Sequence, residues 1–272
     1  MIDKFTEVLK WSPKDNVTIQ SMRYGDHERQ AFEIFYPPQN GNKPKPCLIF
    51  VHGGAFTEGS RHRSSEIYAN VLYYFARHGI IGVNVGYRLA PDATYPQATV
   101  DVSKVVTFVR EHAADMNVDP HKIFLMGHSA GGAHVGTYAY DKRFRPANGT
   151  GLAGVFIISG RVRADARKDN PNAQRVAAYY GDDPQIYNDV SPVSHIDAES
   201  PPTLVACAEY ENPLIDVYCL ELAYKLAAAK GRAPPVVWLK GHNHTSIIAH
   251  FNTSEDDLGR ACLQFIADHS LD

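Results

Sequence analysis

Ile123-Phe124-Leu125-Met126-Gly127-His128-Ser129-Ala130-Gly131-Gly132 is the stretch on which the fold turns. Its first four residues are apolar without interruption, as in a strand buried on both faces. They run into Gly-x-Ser-x-Gly, and a helical pattern follows from Ala130 to Ala139. A strand, a tight turn and a helix around that pattern are the setting in which a serine is presented as a nucleophile. The glycines are needed because larger neighbours would collide with adjacent backbone, and the turn holds Ser129 strained with its hydroxyl in the open. The helix N-terminus behind it favours negative charge. An ordinary Gly/Ser turn is the competing reading, and the flanking strand and helix argue against it.

Similar apolar runs recur on both sides. Cys47 to Val51 ends at Gly53-Gly54, Ile80 to Val85 is followed by Gly86, and Ile123 follows a turn signal at Asp119-Pro120. Leu152 to Ser159, Thr203 to Ala208 and Val236 to Leu239 complete the set. Between them lie helical patterns at Ser64 to Arg77, Gln97 to Met116 and Leu214 to Lys230, the last closed by Gly231. Ser254 is the expected N-cap of a final helix to about Asp268. Strands alternating with helices imply an α/β fold with a mostly parallel central sheet and helices on both faces. Residues 26 to 36 are expected to add antiparallel edge strands. A single domain over 1–272 is expected, with 1–22 as an arm ahead of the sheet. Residues 161–200 break the rhythm and form a candidate lid insertion.

The 272 residues are 44% hydrophobic and 21% charged, enough for a sizeable core. A formal net charge of −3 gives no basic footprint for nucleic acid and no polybasic membrane anchor. No apolar run approaches membrane-spanning length, and the first residues do not resemble a signal peptide. Cys47, Cys207, Cys219 and Cys262 are widely spaced within apolar segments and read as buried thiols, with the cytoplasm as the default location.

His52-Gly53-Gly54-Ala55 closes the first apolar strand. A backbone free of side chains at two positions can aim amide groups at an anion developing on a carbonyl oxygen. The expected donors of this oxyanion hole are the amides of Gly53, Gly54 and Ala130; a turn kept only for chain reversal is the alternative. His52 is expected to anchor the loop. No metal site is expected: His242, His244 and His250 lack an accompanying cysteine or carboxylate cluster.

His52-Gly53-Gly54, Tyr87-Arg88-Leu89-Ala90-Pro91, Gly127 to Gly132 and Ser191-Pro192 occur in an order that resembles one group of enzymes. This is the hormone-sensitive-lipase-like and feruloyl-esterase-like branch of the α/β-hydrolases. The likeness covers about residues 25 to 270 and is specific for the superfamily, much less so for substrate. Gly132-Ala133-His134 and Gly241-His242-Asn243-His244 are also similar to kynurenine formamidases. Ala55-Phe56-Thr57-Glu58-Gly59 departs from that group, which carries an aromatic pair after the two glycines.

Chain order in the resembling fold is nucleophile, acid, histidine. The resemblance puts the acid on Glu211 in Glu209-Tyr210-Glu211-Asn212, with Glu209 and Asp216 as rivals. Glu209 is expected to support the loop, and Asp216 to decorate the next helix. The resemblance selects His244, three residues after Gly241, as the base. His128 and His134 are expected in supporting structure, Asp101 as an organiser of the Tyr87-to-Pro96 loop, and Tyr179, Tyr180, Tyr187 and Tyr210 as core or surface filling near the pocket. The implied chemistry is hydrolysis of small or medium carboxylic esters through an acyl-enzyme, with no cofactor. An arylformamidase with the same residues is the alternative, and a non-catalytic ligand-binding protein of this fold is a third reading. The expected partner is a small ester, and a homodimer through an edge strand or the last helices is compatible with the fold.

Overall fold

The computed structural model of the chain describes residues 1–38, 41 and 43–270. Among these, eight strands form one sheet: β1 (Thr18–Arg23), β2 (Ala31–Tyr36), β3 (Lys45–Val51), β4 (Ile81–Val85), β5 (Val118–His128), β6 (Gly154–Ile158), β7 (Thr203–Tyr210) and β8 (Val236–Asn243). Their order across the sheet is β1-β2-β4-β3-β5-β6-β7-β8. β1 and β2 are antiparallel to their neighbours, and every pairing from β4 to β8 is parallel.

The unbroken apolar runs are explained by burial on both sides. Side chains alternate across a strand, so Cys47, Ile49 and Val51 enter one core while Leu48 and Phe50 enter the other. β5 divides in the same way, with Ile123 and Leu125 against Phe124 and Met126. The first core is covered by α3 (Gln97–Glu111), α4 (Ala130–Tyr140) and α6 (Ile215–Lys230). The second is covered by α2 (Ala69–Arg77) and α8 (Asp257–Asp268), with α1 (Ile2–Leu9) contributing Leu9. α5 (Ala173–Tyr180) and the short α7 (Ser246–Ala249) lie near the carboxyl edge of the sheet. All four cysteines are buried and free. Among the described residues, no helix is long and apolar enough to cross a membrane.

Several expected boundaries move, each for a local reason. β1 falls inside the segment expected to precede the sheet, so 1–22 includes most of an outer strand; within 26–36 only Ala31–Tyr36 is a strand. α2 starts at Ala69 rather than Ser64, because Tyr68 takes φ +83° and the Ser64 hydroxyl accepts the amides of Glu66 and Ile67 in a turn. α3 stops at Glu111, and residues 112–116 continue as turns. Asp119-Pro120 does not separate a turn from the strand: β5 begins at Val118, with its pairing to β3 irregular there. α8 is capped at Asp256 instead of Ser254. β8 runs past Leu239 to Asn243. Gly231 does close α6, at φ +69°.

Asp101 lies within α3, fully buried. It accepts from the Arg88 amide at 3.1 Å, from Arg88 Nε and Nη2 at 2.8 and 2.7 Å, and from Gln30 Nε2 at 2.7 Å. A buried charge needs such partners, and here they fix the start of the loop after β4.

Residues 161–200 contain α5 and short turns at Pro184–Ile186 and Pro192–His195. Val162, Val176, Tyr179, Tyr180 and Val193 from this segment are buried in the first core. Tyr179 stacks on Phe56 with centroids 5.0 Å apart. Tyr187 is partly buried and Tyr210 exposed.

Close approach of α4 to β3 leaves no room at the turn between β5 and α4. A Cβ on Gly131 would lie 2.2 Å from the Val51 carbonyl oxygen, and one on Gly127 would lie 2.5 Å from the Gly131 oxygen. Gly131→Ala is therefore expected to destabilise the fold by about 3 kcal/mol through overpacking. That corresponds to a thermal midpoint roughly 6–12 °C lower for a chain of this size. An unchanged midpoint in calorimetry would show that the helix and strand tolerate separation here.

Candidate active site

Three side chains spread along more than a hundred residues of sequence meet at the carboxyl edge of the sheet. Each immediately follows the last residue of its strand: Ser129 after β5, Glu211 after β7 and His244 after β8. Register brings them together, because β7 and β8 are still paired at Tyr210 and Asn243, and β5 pairs with β6 up to His128 and Ile158. Carboxyl ends of parallel strands are where open α/β sheets place their ligands.

Ser129 adopts φ +57° and ψ −121°, a strained conformation for a residue with a Cβ. Its amide donates to Ile158 O at 3.1 Å, and its carbonyl accepts from Gly132 and Arg161 at 3.0 Å each. The backbone is thus pinned while the hydroxyl is turned outward. His244 Nε2 lies 2.9 Å from Ser129 Oγ, and His244 Nδ1 lies 2.6 Å from Glu211 Oε2. The other carboxylate oxygen, Oε1, accepts from the Ala208 amide at 3.0 Å and from the Ser159 hydroxyl. Burial pushes the Glu211 carboxyl up, but His244, Ser159 and the Ala208 amide outweigh it and hold the group below the usual range. Glu209 does not enter this chain; its Oε2 accepts the Gly241 amide at 2.8 Å and braces the loop. Asp216 sits in the first turn of α6.

Ser159 and Tyr68 are the participants that sequence reasoning did not single out. Ser159 directly follows β6, a position at the strand end that gave a signal. Tyr68 gave none, since its place depends on the turn before α2. The Gly53 amide donates to the Tyr68 hydroxyl at 3.3 Å, and that hydroxyl is 3.3 Å from His128 Nδ1. His128 Nε2 in turn donates to the His244 carbonyl at 2.9 Å. Burial, with the nearby His244, lowers the His128 pKa to about 3, so the ring is neutral and can accept at one nitrogen while donating at the other. One hydrogen-bonded path therefore links the Gly53 loop to the turn that carries His244.

Gly53 and Gly54 line the cavity with Ser129 and Ala130 follows it in the chain, but the three are not equivalent. The Gly53 amide already has Tyr68, whereas Gly54 and Ala130 have no amide acceptor among the described residues. Gly54 is at φ +148°, and a Cβ there would lie 1.9 Å from the Glu58 carbonyl oxygen. His52 holds the loop through Nδ1, 2.7 Å from Gly53 O, while Tyr87 donates to the His52 carbonyl at 2.8 Å. Burial lowers the pKa of His52, and of His134 on α4, to about 3. Both are neutral core histidines.

The expectation that no carboxylate accompanies the histidines after β8 is corrected. Glu255 Oε1 lies 3.0 Å from His242 Nε2, and the Nδ1 atoms of His242 and His250 are 2.9 Å apart. One ligand atom from each residue falls within 4.8 Å of the others, on a segment separate from Ser129.

Above Ser129 lies an open cavity of about 210 Å³, bounded by Gly53, Gly54, Tyr68, His128 and His244. Glu58, Arg63, Asn172, Arg175 and Asn212 supply polar groups to it, and Ile67 and Ile248 supply apolar ones. At that volume it lies below the usual range for drug-sized ligands, roughly 300–1,000 Å³.

Residues 32–145 match the BD-FAE family model. Esterase LipC of Mycobacterium tuberculosis is 30% identical over 197 residues, covering 67% of this chain and 48% of that protein. A probable isoprenylcysteine alpha-carbonyl methylesterase, ICMEL1 of Arabidopsis thaliana, is 34% identical over 116 residues, covering 43% of this chain and 23% of that protein. The matches to these two curated relatives take in half of their length or less. The solved structure of esterase B from Lactobacillus Rhamnosis superposes with a TM-score of 0.79 at 17% identity, covering 99% of this chain and 91% of that one. The fold is the α/β-hydrolase fold.

Proposed function

We propose that this chain, an α/β-hydrolase of the hormone-sensitive-lipase-like and feruloyl-esterase-like branch, is a serine carboxylesterase acting on small esters. The observation that carries the reading is the continuous contact from Ser129 Oγ through His244 to Glu211, at 2.9 and 2.6 Å. In this reading His244 takes the Ser129 proton as the oxygen attacks the ester carbonyl. The amides of Gly54 and Ala130 stabilise the tetrahedral oxyanion, with Gly53 holding the loop through Tyr68. His244 then protonates the departing alcohol. Water, activated by the same imidazole, releases the acid from the acyl-enzyme. Glu211 keeps the imidazole in the tautomer that presents a lone pair to Ser129 and offsets its charge when protonated. No group beyond the chain is required. Residues 161–200 act as a cover over the pocket, since Asn172 and Arg175 from this segment line it.

Cavity size argues for short acyl groups. Acetate or butyrate esters of p-nitrophenol are expected to exceed the laurate ester in kcat/KM by at least about tenfold, since an open cavity of about 210 Å³ leaves much of a dodecanoyl chain in water. The panel is run with Ser129→Ala as the blank and with N-formylkynurenine as an amide arm. A strong preference for the formamide would replace the ester reading with an arylformamidase. Failure of folded protein to react with either substrate or with a fluorophosphonate would favour a ligand-binding role.

A further inference from the structure

The charges around the cavity differ in sign from those of the chain. The whole sequence carries −3, whereas the charged side chains lining the space above Ser129 are Glu58, Arg63 and Arg175, one anion and two cations. Arg175 donates to Glu58 at 2.6 Å, so these two neutralise each other. Arg63 has no acidic partner among the described residues. It lines the cavity together with Tyr68 and His128, and its amide donates to the Ile67 carbonyl at 3.1 Å in the turn ahead of α2. Glu211 forms no ion pair with it, since that carboxylate is buried and turned toward His244. The lining thus leaves one guanidinium, on the exposed Arg63, without an acidic partner among the described residues, in the same cavity as Ser129.

We propose that the preferred substrates are small esters that carry a carboxylate, and that Arg63 is the residue that selects them. The inference rests on the esterase reading and narrows its substrate class. Guanidinium presents a planar fork of N–H donors that matches a carboxylate, and the short span of the cavity keeps that second acid group within a few bonds of the ester carbonyl. Asn172 and Asn212 line the same space and offer neutral donors to the remaining oxygen. Arg175 supplies a second, weaker attraction, since Glu58 already holds it. Long neutral acyl chains gain little here, with only Ile67 and Ile248 as larger apolar contacts among the lining groups.

The test compares two methyl esters of the same shape, monomethyl succinate and methyl succinamate, which differ only in a carboxylate against a primary amide. A charged hydrogen bond in a partly solvated site is worth a factor of roughly 10–100. The protein is expected to favour the half-ester in kcat/KM by at least about tenfold, mainly through KM, and the preference should shrink as salt is added. Arg63→Gln is expected to remove most of that ratio and Arg63→Lys to restore part of it. Circular dichroism and fluorophosphonate labelling confirm that each variant is folded. Equal turnover of both esters overturns the proposal and leaves the esterase reading standing. So does a ratio that Arg63→Gln leaves unchanged, or turnover of p-nitrophenyl acetate with neither methyl ester accepted. Loss of p-nitrophenyl acetate hydrolysis as well would overturn both readings.

Discussion

Ser129→Ala is expected to lower kcat for a short p-nitrophenyl ester by a factor of about 10⁴–10⁶ and to abolish labelling by a fluorophosphonate. The size follows from removing covalent catalysis while leaving oxyanion stabilisation and binding in place, a residue that still accelerates the reaction roughly 10³–10⁴-fold over water in serine hydrolases. His244→Ala is expected to fall within the same range. The two losses should not add, because Ser129 and His244 act as one unit, so the double variant should resemble either single one. KM should change little in each case, since neither group is a main determinant of ground-state binding. Fold stability should also change little in Ser129→Ala. A methyl at that position keeps the Cβ that the strained turn already accommodates, and the hydrogen bonds that pin residue 129 come from its backbone. A drop of less than tenfold, with labelling retained at another side chain, would place the nucleophile elsewhere.

The parts of this molecule that could be read before any coordinates share a physical property: they are set by local geometry. The strand, tight turn and helix around Ser129 are encoded within ten residues, and the steric need for Gly127 and Gly131 is visible in the same stretch. The alternation that splits Cys47, Ile49 and Val51 from Leu48 and Phe50 follows from burial on both faces. What the sequence hides is long-range. Tyr68 acts only because a positive φ turns the chain ahead of α2, and no pattern of residue types announces that. Glu255 stands five residues beyond His250, but only the turn and short helix after His242 bring it against that ring. β1 escaped notice because it is an exposed edge strand, without the apolar face that reveals the others. Arg63 looks like any polar loop residue until the fold sets it among the residues that line the cavity with Ser129.

Choosing among Glu209, Glu211 and Asp216 shows how far the geometry goes past the resemblance, and it sets the second large effect. Glu211→Gln is expected to reduce kcat/KM by about 10³–10⁴, the scale seen when a triad carboxylate becomes an amide and the imidazole takes the wrong tautomer. The Glu211 oxygens are fully used: one by His244 Nδ1, the other by the Ala208 amide and the Ser159 hydroxyl. In glutamine one terminal atom becomes an NH₂. If the oxygen stays with Ala208 and Ser159, the NH₂ faces Nδ1 and forces that nitrogen to accept. The proton then moves to Nε2, where it blocks transfer from Ser129. The opposite orientation turns the NH₂ toward the Ala208 N–H, an unfavourable contact that also leaves this buried donor without its acceptor. Both outcomes remove the lone pair that Ser129 needs or the support that holds it. Glu209→Gln is different in kind, because an amide oxygen can still accept from Gly241, and its kcat/KM should stay within about threefold. Asp216→Asn, on the first turn of α6, should lose only a small dipole contribution of about 0.3–1 kcal/mol to stability. Kinetics on the three variants with one short ester decide the assignment. If Glu209→Gln causes the larger loss, the carboxylate that orients His244 during turnover is not the one that touches it at rest.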